Sequence, residues 1–321
     1  MNGWDKYNRG LAYERSGNLR HANDEFRAAI KGADALKQNR DAAGEARQHL
    51  AQNEAPASDS GTAPAPTEKS ETPKPNPAAK DNLPNERRVA LVIGNSAYEK
   101  VPALPNPASD AKLVGETLKT IGFDSVIVRT NLRREELISA LKEFADLANA
   151  ADWAVVFYAG HGMEVAGTNY IIPIDARIQV DRDISFEAVA LDQVLNAAER
   201  SKKLHLVLLD ACRDNPYKNV MKRTLSVASR STASGLAPIE PEPGTLVVYA
   251  AKDGETASDG DGLNSPFTKA FVKDVQTPGL EVRRLFDFVR DDVMDTTNRQ
   301  QKPFSYGSIS GRQDFFFVGA K

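Results

Sequence analysis

Short runs of consecutive apolar residues, many of them β-branched, recur along the chain from residue 88 onward. Apolar runs of about four to eight residues are typical of strands that are buried on both faces. The runs at residues 153–158 (WAVVFY) and 204–209 (LHLVLL) contain no Asp, Glu, Lys or Arg. The pattern predicts strands at residues 88–93, 125–129, 153–158, 204–209 and 245–250, with a further edge strand at 315–318.

Between these runs, apolar positions recur about every three to four residues, as on one face of an amphipathic helix. Helices are predicted at residues 110–121, 133–149, 187–200, 266–275 and 281–298. Alternating strands and helices are typical of an α/β fold, in which right-handed crossovers place helices on both faces of a mostly parallel sheet. The sequence therefore predicts a three-layer α/β domain over residues 86–321.

The first 52 residues are helical in pattern and form a separate predicted segment. Small and aromatic residues fall there at the spacings of a tetratricopeptide helix pair, namely Gly10, Tyr13, Gly17, Ala22, Phe26 and Ala29. The resemblance covers one repeat, whereas about three are usually needed to bury a continuous core. Two interpretations stay open: a small α-helical segment that binds a protein partner, and an amphipathic helix pair without a binding role.

Residues 53–85 have a different composition, rich in Pro, Ala, Ser, Thr, Lys and Glu. Seven prolines are spread through this stretch. Such a segment buries too little apolar surface to order itself, so the sequence predicts a mobile linker between the helical segment and the α/β domain.

Charge and composition exclude several classes of function. Lys and Arg number 41 against 44 Asp and Glu, so the net charge of −3 gives no reason to expect nucleic-acid binding. No apolar run reaches the ~18 residues of a membrane span, and the polar start of the chain lacks the order of a secretory signal. We therefore expect a cytoplasmic protein that binds no membrane.

The chain has one cysteine, Cys212, and four histidines. A single cysteine excludes an intramolecular disulfide and thiolate metal clusters, and the histidines form no HExxH pair. We expect no resident metal or cofactor. One cysteine is nevertheless sufficient for thiol catalysis.

Reactive side chains follow two of the predicted strands. His161, between Gly160 and Gly162, follows the strand at 153–158, and Cys212 follows the strand at 204–209. Sites in α/β sheets form at the carboxyl ends of strands, and glycines permit sharp turns, so we expect His161 at an exposed bend facing Cys212. The pair would form a Cys–His dyad, with the backbone N–H groups of Gly162 and Cys212 as an oxyanion hole that contributes about 3 kcal/mol per donor.

These segments resemble the caspase, metacaspase and bacterial orthocaspase superfamily. The resemblance lies in YAGHG at residues 158–162 and DACRD at 210–214, with the histidine 51 residues before the cysteine, where the caspase signature has about 50. Further matching stretches are ALVIGNSAY (90–98), NPASDA (106–111), GTLVVYAAKDG (244–254) and NSPFTKAF (264–271). The resemblance covers residues 87–318 and implies a caspase-like fold with a six-stranded sheet and the activity of a cysteine endopeptidase on protein or peptide substrates.

The residue two positions before the cysteine bears on specificity. In the family, caspases usually have glutamine there and cleave after aspartate, whereas metacaspase-like members have aspartate and cleave after arginine or lysine. This chain has Asp210, and Asp110 resembles a second acidic residue of the same pocket. Carboxylates bind guanidinium and ammonium groups by charge-assisted hydrogen bonds, so we expect cleavage after Arg or Lys. For Asp110 a second interpretation is an acid favoured by the helix dipole.

Two long polar stretches carry further expectations. Residues 218–244 resemble the family segment that is cut during activation, and its basic positions are Lys218, Lys222, Arg223 and Arg230. The acidic run at 253–261 resembles the calcium site of some metacaspases, although such residues also merely solvate loops.

The sequence leaves two alternatives to a peptidase to be weighed against each other. A catalytically silent caspase-like scaffold stays open. A nucleotide-binding domain is disfavoured because Gly94 opens neither a GxGxxG nor a GxxxxGK[ST] loop.

Overall fold

The computed structural model describes residues 23–24, 26–27, 86–165, 167–212, 216–217, 241–251 and 262–320, with Cys212 described by its backbone. The chain divides into two compact units, Met1–Pro73 and Lys74–Lys321, and the second contains every element below. Residues 23–24 and 26–27 are helical. The remainder of the predicted helical segment, the linker, the four basic positions of 218–240 and the acidic run lie outside the described residues.

Within the described residues, the main sheet has six strands in the order β2-β1-β3-β6-β7-β8. These are β1 (Arg88–Gly94), β2 (Ser125–Thr130), β3 (Trp153–Val165), β6 (Leu204–Cys212), β7 (Thr245–Tyr249) and β8 (Phe304–Ser308). Neighbours from β2 to β7 are parallel and β8 is antiparallel to β7. Short strands β4 (Thr168–Ile171) and β5 (Val189–Ala190) extend the end of β3 in antiparallel pairing. The predicted mostly parallel six-stranded sheet is confirmed.

Helices cover both faces of this sheet. They are α1 (Pro107–Thr120), α2 (Arg134–Asn149), α3 (Ile184–Glu187), α4 (Leu191–Ala198), α5 (Pro266–Asp274) and α6 (Val282–Thr296). Because side chains alternate along a strand, Val155 and Phe157 pack with α1, α5 and α6, whereas Val156 packs with α2 and α4. Burying one such side chain contributes about 1.5–3 kcal/mol. The three-layer α/β class is therefore confirmed.

Several predicted boundaries were wrong. The first helix begins at Pro107 instead of 110, since proline fits the first turn of a helix. The helix predicted at 187–200 is divided: α3 ends at Glu187, residues 189–190 form β5, and α4 begins at Leu191. Strands β3 and β6 also continue well beyond their apolar runs.

The edge strand predicted at 315–318 was wrong. Phe315 and Phe317 are buried against Trp153, with ring centroids 5.5 and 5.6 Å away, but this segment forms only an isolated bridge at Phe316. The edge strand beside β7 is β8. Its side chains are mostly exposed, so its sequence contains no apolar run. Backbone pairing with β7 makes it a strand.

Candidate active site

Strands β3 and β6 lie side by side and end at the same edge of the sheet. Their register pairs Ala159 with Asp210, Gly160 with Ala211 and His161 with Cys212. Neighbouring strands lie about 4.8 Å apart, so the backbones of His161 and Cys212 are direct neighbours. The structure thus brings together the two residues that the sequence predicts to be reactive.

The expected exposed bend at His161 was wrong. His161 is 6% exposed and lies inside β3, which continues to Val165 and pairs with β4. The preceding Gly160 has a φ of 152°, and a Cβ there would lie 2.6 Å from the Tyr98 hydroxyl and 2.7 Å from the Tyr158 hydroxyl. This glycine therefore makes room for two buried phenols.

The His161 imidazole has a defined orientation. Its Nε2 atom lies 2.9 Å from the carbonyl oxygen of Pro102. A carbonyl only accepts hydrogen bonds, so Nε2 carries the proton of the neutral ring and Nδ1 is the basic nitrogen. The ring also packs against Tyr98, with centroids 4.5 Å apart and planes tilted by 50°.

The backbone next to His161 also has a defined direction. The N–H of His161 donates to the Tyr98 hydroxyl, and its carbonyl accepts from the N–H of Ile172. Successive backbone groups of a strand point to opposite sides, so the N–H of Gly162 points toward β6. Of the predicted oxyanion donors, Cys212 is the last residue of β6 that pairs with β3, and Gly162 directly follows its partner His161.

Asp210 and Asp110 meet at the start of α5. Both are buried, at 8% and 1% exposure. The N–H of Ser265 donates to Asp110 at 3.1 Å, and its hydroxyl donates to Asp210 at 2.5 Å. Asn264 adds a hydrogen bond of 2.8 Å to Asp110, and Thr268 adds one of 3.1 Å to Asp210.

Both interpretations of Asp110 find a basis in its position. It lies in the first turn of α1, where the helix dipole favours an acid. Its hydrogen bonds, however, go to residues 264 and 265, beside Asp210. Asp110 is therefore an acidic residue of the first helical turn, and it also forms an acidic pair with Asp210.

The sequence did not single out Pro102, Tyr98 or Ser265 as site residues. Ser265 followed by Pro266 marks a helix start, since serine is a good N-cap and proline fits the first turn, and its hydroxyl does accept from the N–H of Thr268. That pattern cannot reveal the contact with Asp210, 55 residues away. For the Pro102 carbonyl there is no sequence signal, because every residue has one.

Among the residues that the structure describes, no three His, Cys, Asp or Glu side chains lie together as a metal site would require. No helix in this part of the chain has the length and apolar character needed to cross a membrane.

The chain is similar to a known protein family and to two mammalian proteins. A caspase domain family model matches residues 87–313. Mucosa-associated lymphoid tissue lymphoma translocation protein 1 of Homo sapiens and its Mus musculus homologue are each 27% identical over 221 residues, 68% of this chain. The chain spans 24% of the length of these relatives.

A solved structure agrees on the fold. The crystal structure of caspase-1 from Spodoptera frugiperda covers 79% of this chain and 99% of its own, with a TM-score of 0.52 and 18% identity. These matches are mammalian and insect proteins, so the bacterial orthocaspase and tetratricopeptide resemblances stay predictions. Since the family model covers most of the chain and the fold agrees, the chain belongs to the caspase domain family of cysteine peptidases.

Proposed function

We propose that the chain is a cysteine endopeptidase in which Cys212 is the nucleophile and His161 transfers protons. The observation that carries the proposal is the register of β3 and β6, which makes the backbones of these two residues neighbours at one sheet edge. Membership of a cysteine peptidase family supports the same chemistry.

In the proposed reaction, the Cys212 thiolate attacks the carbonyl carbon of the scissile bond and forms a tetrahedral intermediate. The protonated imidazole of His161 then gives a proton to the leaving amine, and the thioester that remains is hydrolysed by water with His161 as base. Because Pro102 holds the proton on Nε2, Nδ1 exchanges protons with the reacting groups. The N–H groups of Gly162 and Cys212 stabilise the oxyanion.

The proposed specificity is for Arg or Lys before the scissile bond. Asp110 and Asp210 share Ser265 as a hydrogen-bond donor, and Asp210 is two residues before Cys212 on the same strand. Ser265, Asn264 and Thr268 contribute neutral hydrogen-bond donors to these two carboxylates. Carboxylates bind a substrate guanidinium or ammonium group by charge-assisted hydrogen bonds, which supports the proposed preference for Arg or Lys.

Three further proposals concern segments that lie mostly outside the described residues. Self-processing in 218–244 would use the same specificity, since Lys218, Lys222, Arg223 and Arg230 supply basic residues. Calcium dependence of the activity, through the acidic residues 253–261, is proposed only from the resemblance to metacaspases. The partner of the N-terminal helical segment would be a protein.

The test uses the purified full chain with peptides that differ only in Arg, Lys or Asp before the scissile bond, with and without calcium. Wild type is expected to cleave Arg and Lys peptides, and Cys212→Ala and His161→Ala to lose at least about 1,000-fold in kcat. His205→Gln, at the opposite end of β6, serves as the histidine control. Hydrolysis that persists in Cys212→Ala contradicts the proposal, and an inactive wild type favours a catalytically silent scaffold.

A further inference from the structure

The backbone of His161 lies just beyond the end of β1. The β1–β3 ladder ends at the pair of Gly94 and Ala159, so β1 offers no partner to the N–H of His161 two residues later. A buried N–H without an acceptor is strongly unfavourable. The hydroxyl of Tyr98 accepts this N–H at 2.7 Å, in the place of a strand carbonyl.

A second phenol completes the contact. The Tyr98 and Tyr158 hydroxyl oxygens are 3.3 Å apart, and the Tyr158 hydroxyl donates to the carbonyl of His161 at 2.8 Å. Burial raises the pKa of Tyr98 well above its usual value, so this phenol stays neutral and keeps its proton. Hydrogen bonds therefore run from the His161 N–H through both hydroxyls and back to the His161 carbonyl.

The loop that carries Tyr98 also holds the imidazole. It supplies the ring that packs on His161 and the Pro102 carbonyl that binds Nε2. The loop is itself fixed, because Asn131 Oδ1 accepts the N–H groups of Ser96 and Ala97, each at 2.9 Å. The fold therefore imposes the position of Tyr98.

We propose that Tyr98 is a positioning residue for His161, with its hydroxyl holding the peptide backbone and its ring holding the imidazole plane. The role rests on the proposed function, because it matters only if His161 transfers protons. Tyr98 is the last residue of the ALVIGNSAY motif, so the proposal assigns a role to the end of that motif.

The test replaces Tyr98 by Phe, which keeps the ring and removes the hydroxyl. On an Arg peptide we expect kcat to fall about 10- to 100-fold, since small misplacements of a catalytic group are costly, while KM stays within about 2-fold. Tyr217→Phe is the matched control. Tyr217 belongs to the same buried apolar cluster as Tyr98, but its hydroxyl donates to the Ala176 carbonyl at 3.0 Å.

A second readout does not need turnover. In a Cys212→Ala background, NMR titration follows the imidazole of His161, assigned by comparison with His161→Ala. Tyr98→Phe is expected to lower the titration midpoint of the His161 imidazole. The reason is that a less anchored ring bonds more weakly to the Pro102 carbonyl, which stabilises the imidazolium. Tyr217→Phe is expected to leave this midpoint unchanged.

These outcomes distinguish failure of the proposed peptidase function from failure of the positioning role of Tyr98. An inactive wild type refutes the proposed function, and the titration then decides whether Tyr98 orients His161. An active wild type with unchanged kcat and titration in Tyr98→Phe overturns the positioning role alone. If Tyr98→Phe unfolds at the assay temperature, Tyr158→Phe tests the same hydrogen-bonded chain and is expected to change both readouts in the same direction.

Discussion

At the scale of single residues, Ser265 connects three parts of the candidate site. Its hydroxyl caps α5 by accepting from the N–H of Thr268 at 2.9 Å, and also donates to Asp210. Its N–H donates to Asp110. The residue that starts a helix thus also fixes two carboxylates, so the proposed specificity pocket depends on where α5 begins.

The charge of Asp110 is expected to determine turnover of Arg substrates. Asp110→Asn keeps the size of the side chain and removes the charge, so kcat/KM for an Arg peptide should fall about 100-fold, in line with the ~2–5 kcal/mol lost when one partner of a buried charge pair is removed. Asp146→Asn, on the exposed face of α2, is the matched control. An unchanged preference for Arg in Asp110→Asn would remove Asp110 from the pocket.

At the scale of elements, the contact between α5 and α6 combines apolar packing with a poorly compensated carboxyl group. Phe271 and Phe286 stack with centroids 6.2 Å apart. Asp274 ends α5 and is 6% exposed, and its Oδ2 has no hydrogen-bond partner among the described residues. Burial, helped by the nearby Asp292, raises the pKa of Asp274 to about 6.

The raised pKa of Asp274 predicts a stability change with pH. The folded state holds this proton more tightly than the unfolded chain, whose carboxyl has the usual pKa of 3.8, so stability falls as pH rises from about 4 to about 6 and then levels off. Asp274→Asn stays neutral at every pH. Its free energy of unfolding should therefore exceed that of wild type at about pH 8, with the difference vanishing near pH 4.

Urea unfolding across this pH range measures the effect. Asp295→Asn, on the exposed side of α6, is the control that should follow wild type at each pH. A constant difference between Asp274→Asn and wild type would show that the carboxyl does not titrate in this range.

At the scale of the whole molecule, the candidate dyad lies on central strands, and the acidic pair joins distant parts of the chain. Strand β6 comes before the 218–244 segment and β7 after it, yet the two pair from His205 to Leu209. A cut in that segment would therefore leave both fragments in one sheet. Self-processing, as proposed, would not separate Asp210 from Ser265.

The sequence predicts a strand well where the side chains on both faces of that strand are buried. Strands β3 and β6 were recognisable because their first halves are apolar at every position except His205. Strand β8 was not, since its pairing with β7 comes from the backbone while its side chains face solvent. The burial of His161 was missed for a similar reason, because Tyr98 and Pro102 lie 63 and 59 residues away.

The most direct measurement of the central claim is the intact mass of the protein after reaction with a peptidyl arginine chloromethyl ketone, followed by peptide mapping. Cys212 is the single cysteine of the chain, so a thiol adduct has one location. The account predicts one adduct per chain at Cys212 in wild type, none in Cys212→Ala, and much slower labelling in His161→Ala. Equal labelling of wild type and His161→Ala, or no adduct at Cys212, would contradict it.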